Sequence, residues 1–463
     1  MAGAPGHAEG LRAPGRVALV TQGCKVNQYE TQVILESLLA RGWELVPFGD
    51  AADLTVINSC TVTDGADRDL RKLVARARRA SADGRVLVTG CRVQVDPAGS
   101  AALEGVDLVV DNVAKARIPA LLDSPAPGSL AGSVLQAFGD RVEDAPITRL
   151  DGRGRAILKV QDGCNLRCSF CIVPAARGNS RSRAAGETLA RARLLEEHGY
   201  RELVLSGIQL GFYRDPDGHA RSLADLLELL LAGTRRLRFR LGSMLPRHFT
   251  PRLRALFAAE PARLCPHFHI SLQSGDDAVL RAMKRPYRFA HYRELLESLV
   301  DDLADPCLGT DLIVGHPGED ADAFARGLEA VAALPLAYGH VFPFSARTGT
   351  RAAAMPTAVS PREMAARSLA LRELLAAKGA EYRGRQRGRE LRVVAEQRRS
   401  GGVWTGTSEN YQTVRFAAPS LEGGALARVR VVDVEPGGKR LRGDVVADAR
   451  PAAGVPDAER MRA

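Results

Sequence analysis

The chain has 463 residues, 45% of them hydrophobic and 25% charged, a globular balance with room for two to four domains. No apolar run reaches the roughly 18–20 residues of a membrane span, and the Gly/Ala/Pro-rich segment 1–15 has no signal-type apolar stretch. These features argue against a membrane partner and a secreted class; a cytoplasmic location is expected, with a monomer as the default. Eight cysteines without a disulfide-framework spacing fit a reducing compartment, and a net charge of +10 favours an anionic partner, nucleic acid first.

In chain order, residues 16–120 alternate apolar, β-branched runs (16–21, 53–58, 85–89 and 106–110) with helical patterns (27–40, 66–80 and a weaker one at 97–104). That alternation predicts an α/β domain with a parallel sheet over residues 14–122. Cys24, Cys60 and Cys91 each follow one of the first three strands. Each has a small neighbour: Gly23, Ser59 and Gly90. The carboxyl edge of an open α/β sheet is where ligands bind, and small residues let a bulky group approach the backbone. The three thiols are therefore candidates for a metal cluster that lacks one protein ligand. Three buried core cysteines are the bland alternative. Residues 123–149, with Pro125, Pro127, Gly128 and Gly139, read as a linker with little packed structure.

Residues 150–380 resume the alternation, with strands expected at 156–161, 203–206, 236–241, 268–272, 309–314 and 340–344 and helices between them. Six βα units predict a partial (β/α)6 barrel, open on one side. The stretch Gly163-Cys164-Asn165-Leu166-Arg167-Cys168-Ser169-Phe170-Cys171 follows the first strand, at the end where barrels place their active sites. Three thiols at x3 and x2 spacing on one loop can wrap one face of a 4Fe–4S cluster and leave one iron open to an exogenous ligand. Zinc would need a fourth Cys or His nearby, and the next histidine is His198, on a predicted helix. The turns 206–211, 271–275 and 315–319 could cradle parts of a cofactor, and Met283-Lys284-Arg285 could meet a carboxylate or phosphate. Cys265 and Cys307 precede their strands and read as structural thiols.

One long helix is expected at 361–384. Five short β-patterned runs then follow, at 391–396, 402–407, 412–416, 427–435 and 441–447. They predict a small antiparallel β-barrel over residues 383–449. Its arginines with Trp404, Tyr411 and Phe416 fit a groove that combines charge with base stacking. The segment after Arg450 is Ala/Pro-rich and is expected to be disordered.

The cysteine loop, with Phe170 before its last cysteine, resembles that of the radical S-adenosylmethionine (SAM) enzymes. The whole pattern resembles the methylthiotransferase family, whose small C-terminal barrel is the TRAM domain. The motifs that carry this are Gly23-Cys24-Lys25-Val26-Asn27-Gln28-Tyr29-Glu30-Thr31, the loop 163–171 with Ile172-Val173-Pro174, and Leu272-Gln273-Ser274-Gly275 with Met283-Lys284-Arg285. The resemblance implies two 4Fe–4S clusters and S-adenosyl-L-methionine as cofactors. One cluster sits on Cys164, Cys168 and Cys171 and cleaves SAM. The other sits on Cys24, Cys60 and Cys91 and carries the sulfur. It also implies a tRNA partner and a flavodoxin- or ferredoxin-type reductant. Lys25-Val26-Asn27-Gln28 resembles the members acting on threonylcarbamoyladenosine at tRNA position 37. Relatives acting on isopentenyladenosine or on a ribosomal-protein aspartate are the alternatives. Met244, His316, Gln209 and Arg214 depart from the family pattern. From other classes, a zinc-stabilised RNA-binding protein and an enzyme using the second cluster as an electron relay remain open.

Overall fold

The computed structural model describes residues 15–122, 138–150, 154–357 and 359–447. The expected disordered end after Arg450 and most of the expected linker lie outside the described residues. The chain divides into two units. The first is Met1–Ile147 with Gly163–Asn165 and Cys171–Asn179; the second is Thr148–Asp162, Leu166–Phe170 and Ser180–Ala463.

In the first unit, β1 (Arg16–Thr21), α1 (Lys25–Leu39), β2 (Glu44–Leu45), β3 (Leu54–Ser59), α2 (Asp64–Ala80), β4 (Arg85–Gly90), α3 (Cys91–Val95), α4 (Pro97–Ala101), β5 (Leu108–Val110), α5 (Ile118–Leu122) and α6 (Val173–Arg177) follow one another. The sheet order is β2-β1-β3-β4-β5, with every pair parallel. A parallel sheet is covered on both faces, so its central strand is buried, polar Thr55, Asn58 and Ser59 included. β3 is buried along its whole length. Successive side chains alternate faces. Leu54 and Val56 join one core cluster with Ile34 and Leu38, while Ile57 joins the other with Leu70 and Val74. Thr63 caps α2, whose first turn holds Asp64 and Asp67 and whose last holds Arg78 and Arg79, in accord with the helix dipole. The described part of the expected linker is packed, contrary to expectation. Val142 and Ile147 are buried, and Asp144 accepts a 2.8 Å hydrogen bond from Tyr29. Turn residues deny this segment a helix or strand but not a core position.

The second unit opens with β6 (Ala156–Lys159), β7 (Gln161–Asp162) and β8 (Arg181–Ser182). It continues with α7 (Ala185–Glu197), β9 (Glu202–Ser206), α8 (Leu223–Gly233), β10 (Arg238–Leu241) and α9 (Pro251–Ala259). Then come β11 (His267–His269), α10 (Asp277–Ala282), α11 (Phe289–Asp302), β12 (Cys307–Val314), α12 (Ala321–Ala333), β13 (Tyr338–Pro343) and α13 (Pro361–Gly384). β6, β9 and β10 form one parallel sheet and β11, β12 and β13 another. Single parallel bridges, Phe239 with Leu264 and Met244 with Ile270, join them into a six-strand arc. β6 and β13 do not pair among the described residues, so the barrel is partial, as expected.

β14 (Glu390–Arg398), β15 (Val403–Ser408), β16 (Thr413–Ala417), β17 (Leu426–Val434) and β18 (Leu441–Ala447) close a barrel in the order β14-β15-β16-β18-β17. The fully antiparallel expectation fails at one seam, because β16 and β18 pair in parallel. Parity requires this: strand directions cannot alternate all the way round a ring of five. The expected stacking groove is also not there. Trp404 and Phe416 are buried in the barrel core, and the Trp404 indole N–H donates to the Ala418 carbonyl at 3.1 Å. Tyr411 stacks on His267 with ring centres 4.0 Å apart. A period-two strand puts its large apolar groups on the closed side, whatever their capacity for stacking on bases.

The fully buried Glu202 on β9 organises this unit. Arg238 and Arg240 of β10 each donate Nε–H to its carboxylate at 2.7 Å. Their remaining N–H groups reach main-chain carbonyls of the closed barrel: Arg392 (2.6 Å), Ser408 (2.8 Å) and Glu409 (2.9 Å). Burial alone would raise the Glu202 pKa, but Arg240, Arg238 and Arg155 together hold it well below the usual carboxylate range. Removing one partner of such a set strands buried charge, at about 3–5 kcal/mol. Glu202→Gln, which keeps the shape, should lower unfolding stability by about that amount in urea titrations. A loss under about 1 kcal/mol, the value of a surface pair, would contradict this role.

Candidate metal centres

Cys24 stands at the N-terminal cap of α1, Cys60 directly follows β3, and Cys91 opens α3 directly after β4. β1, β3 and β4 are neighbours in the sheet, so the three cysteines share its carboxyl edge on adjacent strands. Gly23 adopts φ +89°, and a Cβ there would lie 2.9 Å from Cys60 Cβ and 3.0 Å from its sulfur. Gly90 adopts φ +107°, and a Cβ there would lie 2.6 Å from the Ser59 nitrogen. Glycine is the residue that tolerates such backbone at such close approach. The Asn27 amide donates to the Gln22 carbonyl (2.9 Å) and the Ser59 carbonyl (3.0 Å), joining the first two loops. The Ser59 hydroxyl donates to the Thr89 carbonyl at 2.6 Å, joining the second to the third.

The thiols also feel one another. Burial pushes the Cys60 thiol up to about 11, with Cys91 and Cys24 adding to the rise and the Val62 N–H and Arg177 opposing it. Desolvation raises Cys24 too, although its surface is accessible; Arg177 pulls the other way, and Cys91 adds to the rise. Protonated thiols held this close gain when a cation takes their protons' place, because thiolate is the ligand. The three sulfurs are not all within 4.8 Å of one another.

Behind Cys24 lies a charged network that sequence reasoning missed. Arg177 donates to Glu30 (2.9 and 3.0 Å) and to the Asn27 side-chain carbonyl (2.5 Å). Lys115 donates to Glu30 (2.7 Å) and to the Asn58 side-chain carbonyl (3.0 Å). Arg177, Glu30 and Lys115 are all buried. Asn112 donates to Cys91 Sγ at 3.8 Å and to the Ala176 carbonyl at 2.8 Å. Glu30 falls inside a motif quoted above, but Arg177 is one arginine among many. Its only signal is its place six residues after Cys171.

The loop 163–171 is shared between the units: Cys164 and Cys171 belong to the first and Cys168 to the second. In the first unit, Gly163 turns at φ +70° and the Cys164 N–H donates to the Gly178 carbonyl at 3.1 Å. In the second, Arg285 donates to Cys168 Sγ at 3.5 Å and to the Ser271 carbonyl at 2.9 Å. Arg285 is thus engaged at the cysteine loop, where the sequence offered only a carboxylate or phosphate contact. The Ser169 N–H donates to the Met283 carbonyl (3.0 Å), and its hydroxyl meets His316 Nε2 (3.0 Å). Burial brings His316 down to about 4, so its ring is neutral near pH 7. Gln273, in the turn after β11, takes φ +77°, a left-handed conformation uncommon for a non-glycine residue. Cys265 and Cys307 are buried, Cys265 Sγ donating to Glu202 at 4.0 Å and Cys307 Sγ accepting from the Gln412 amide at 3.6 Å.

Two family models match the chain: the uncharacterized protein family UPF0004 over residues 16–111 and the radical SAM superfamily over residues 158–330. A threonylcarbamoyladenosine tRNA methylthiotransferase of Aquifex aeolicus is 34% identical over 421 residues, covering 90% of this chain and 100% of the relative. The Bacillus subtilis protein of that name is 33% identical over 430 residues, covering 90% and 93%. A tRNA-2-methylthio-N(6)-dimethylallyladenosine synthase of Solibacter usitatus is 31% identical, covering 88% and 92%. Among solved structures, the radical SAM methyltransferase TsrM of Kitasatospora setae with cobalamin and a [4Fe-4S] cluster aligns with TM-score 0.54 at 15% identity. It covers 85% of this chain and 77% of that one, a likeness of fold.

Two outcomes follow from this geometry. Gly23→Ala should strain a left-handed turn and press on Cys60, lowering iron bound per reconstituted chain by about four atoms while the fold persists by circular dichroism. The neutral His316 also makes stability depend on acid. Its folded pKa lies below its unfolded value, so the unfolded state binds more protons between about pH 6.5 and 4, and stability falls as pH drops through that window. His316→Phe should flatten this fall in denaturation midpoints; an unchanged slope would show that His316 does not titrate on unfolding.

Proposed function

The chain belongs to the radical SAM tRNA methylthiotransferase family, and from that membership we propose that it adds a methylthio group to carbon 2 of threonylcarbamoyladenosine at position 37 of tRNA. Membership implies a 4Fe–4S cluster and SAM. The observation that carries the proposal is the second cysteine set: Cys24, Cys60 and Cys91 on one sheet edge, with glycines where a bulky group must approach. A family member that only cleaved SAM would have no use for it. The substrate reading rests on Lys25-Val26-Asn27-Gln28 and on the names of the relatives above.

In this reading Cys164, Cys168 and Cys171 hold the cluster that binds SAM, and Cys24, Cys60 and Cys91 hold a second 4Fe–4S cluster. Bound together, the first cluster and SAM supply one-electron cleavage of the sulfonium and hence hydrogen abstraction; the second supplies the site for sulfur. The chain's own groups position these ligands. Arg285 donates to the Cys168 sulfur and ties it to the turn after β11. Asn27, Asn58 and Ser59 hold the three edge loops together, and Glu30 keeps Arg177 beside Cys24. The barrel of β14–β18 contributes charge to tRNA binding through exposed arginines such as Arg399 and Arg442. Electrons come from a flavodoxin- or ferredoxin-type protein, and the enzyme works as a cytoplasmic monomer. None of the helices among the described residues is long and apolar enough to cross a membrane.

The test is mass spectrometry of tRNA nucleosides from cells lacking the gene and complemented with wild type, Cys24→Ala or Cys168→Ala. Wild type should restore the methylthio form of threonylcarbamoyladenosine and neither variant should. Reconstituted wild type should bind about eight irons and each variant about four. Restoration by Cys24→Ala would remove the second cysteine set from the reaction. Unchanged tRNA in every strain would refute the substrate.

A further inference from the structure

Lys115 is a buried amine that no step of the proposed reaction uses, and it meets a carboxylate that already has a partner. Arg177 donates to both oxygens of Glu30, to Oε1 at 2.9 Å and to Oε2 at 3.0 Å. Lys115 Nζ donates to the same Oε2 at 2.7 Å. Two cations thus share one anion, and all three groups are buried. Asp111, the buried acid directly after β5, accepts the Ala114 N–H at 2.7 Å. A surplus cation out of water is unfavourable unless an anion accompanies it. Free thiols are neutral near pH 7 and supply none, whereas the thiolates of a bound iron–sulfur cluster do. The amine also lies beneath the cysteine edge. Its other acceptor is the Asn58 side-chain carbonyl at 3.0 Å, two residues before Cys60. A Cβ on Gly90, the residue before Cys91, would come within 2.8 Å of that same oxygen. Burial lowers the Lys115 pKa, while Glu30 and charge on Cys91 favour its ammonium form.

We propose that Lys115 is the fixed counter-charge of the cluster on Cys24, Cys60 and Cys91 and raises its reduction potential. The inference rests on the second-cluster reading above and deepens it. Net charge and hydrogen bonding around the sulfurs are the protein's means of setting such a potential. A cation in a low-dielectric setting favours whichever form carries more negative charge, and the reduced cluster is that form. Sulfur held at the open iron as sulfide or thiolate adds negative charge as well, and the same cation favours it. Glu30 has the opposite sign and limits the effect, while Arg177 balances Glu30. Lys115 is therefore the member of the set whose charge is left over for the cluster.

The experiment is a redox titration, followed by electron paramagnetic resonance, of the full chain carrying Cys168→Ala and reconstituted anaerobically with iron and sulfide. In this parent the cluster on Cys24, Cys60 and Cys91 is the one that remains. Iron content is measured beside the potential. Lys115→Met in that parent leaves the Glu30–Arg177 pair in place. It should keep about four irons and lower the midpoint potential. Glu30→Gln removes the shared anion instead and should raise it. A purely structural role would not move the two variants in opposite directions. Full iron in Lys115→Met at an unchanged or higher potential would overturn the proposal. If Lys115→Met does not load iron, Lys115→Arg decides, because it keeps the charge and changes the shape. Iron at the parent's potential in Lys115→Arg upholds the proposal, and any other result there overturns it. A parent that binds no iron would refute the second cluster itself, and this inference with it.

Discussion

Glu30 and Arg177 share a buried ion pair that ties the segment after Cys171 to the helix that Cys24 caps. Glu30 sits on the helix that Cys24 caps, and Arg177 ends the short helix that follows Cys171. A charge without its partner in such a place costs several kcal/mol, so the pair admits one arrangement of the two segments. Lys115 completes it from a third segment, and the Asn27 and Asn58 side chains carry it to the strand ends. Ligand loops are usually the least ordered parts of an α/β sheet. Here the loops that carry Cys24 and Cys60 are tied to a charged core.

The second unit solves a similar problem with the same chemistry. Glu202 turns two arginines so that their spare donors reach backbone carbonyls of the closed barrel. Guanidinium suits this because its five donors lie in one plane and cannot be neutralised. The cost of burying Arg238 and Arg240 is met at one end by a carboxylate and at the other by carbonyls left over at a strand edge.

Much of this was legible because parallel strands are buried on both faces. Apolar, β-branched runs marked β1, β3 and β4, and with them the shared edge of Cys24, Cys60 and Cys91. The long helix expected at 361–384 is α13; Ser360 caps it, and Pro361 takes its first helical position. Elements of two to five residues, such as β2, β7 and α3, hold too few positions to show a period. The pairing of Glu30 with Arg177 spans 147 residues, and no local pattern records it. Trp404 and Phe416 were misread because a residue type tells what a side chain can do and not which face it occupies.

The depth of the Glu202 cluster separates two regimes of ionic strength. Arg238 and Arg240 are 3% and 1% exposed, whereas Arg387, Arg428 and Arg430 of the closed barrel are between 57% and 61% exposed. At 1 M salt the screening length falls to about 3 Å, which silences the outer charges and barely touches those out of water. A polyanion held by such outer arginines would therefore leave in a salt wash, while the buried pairs of Glu202 would persist.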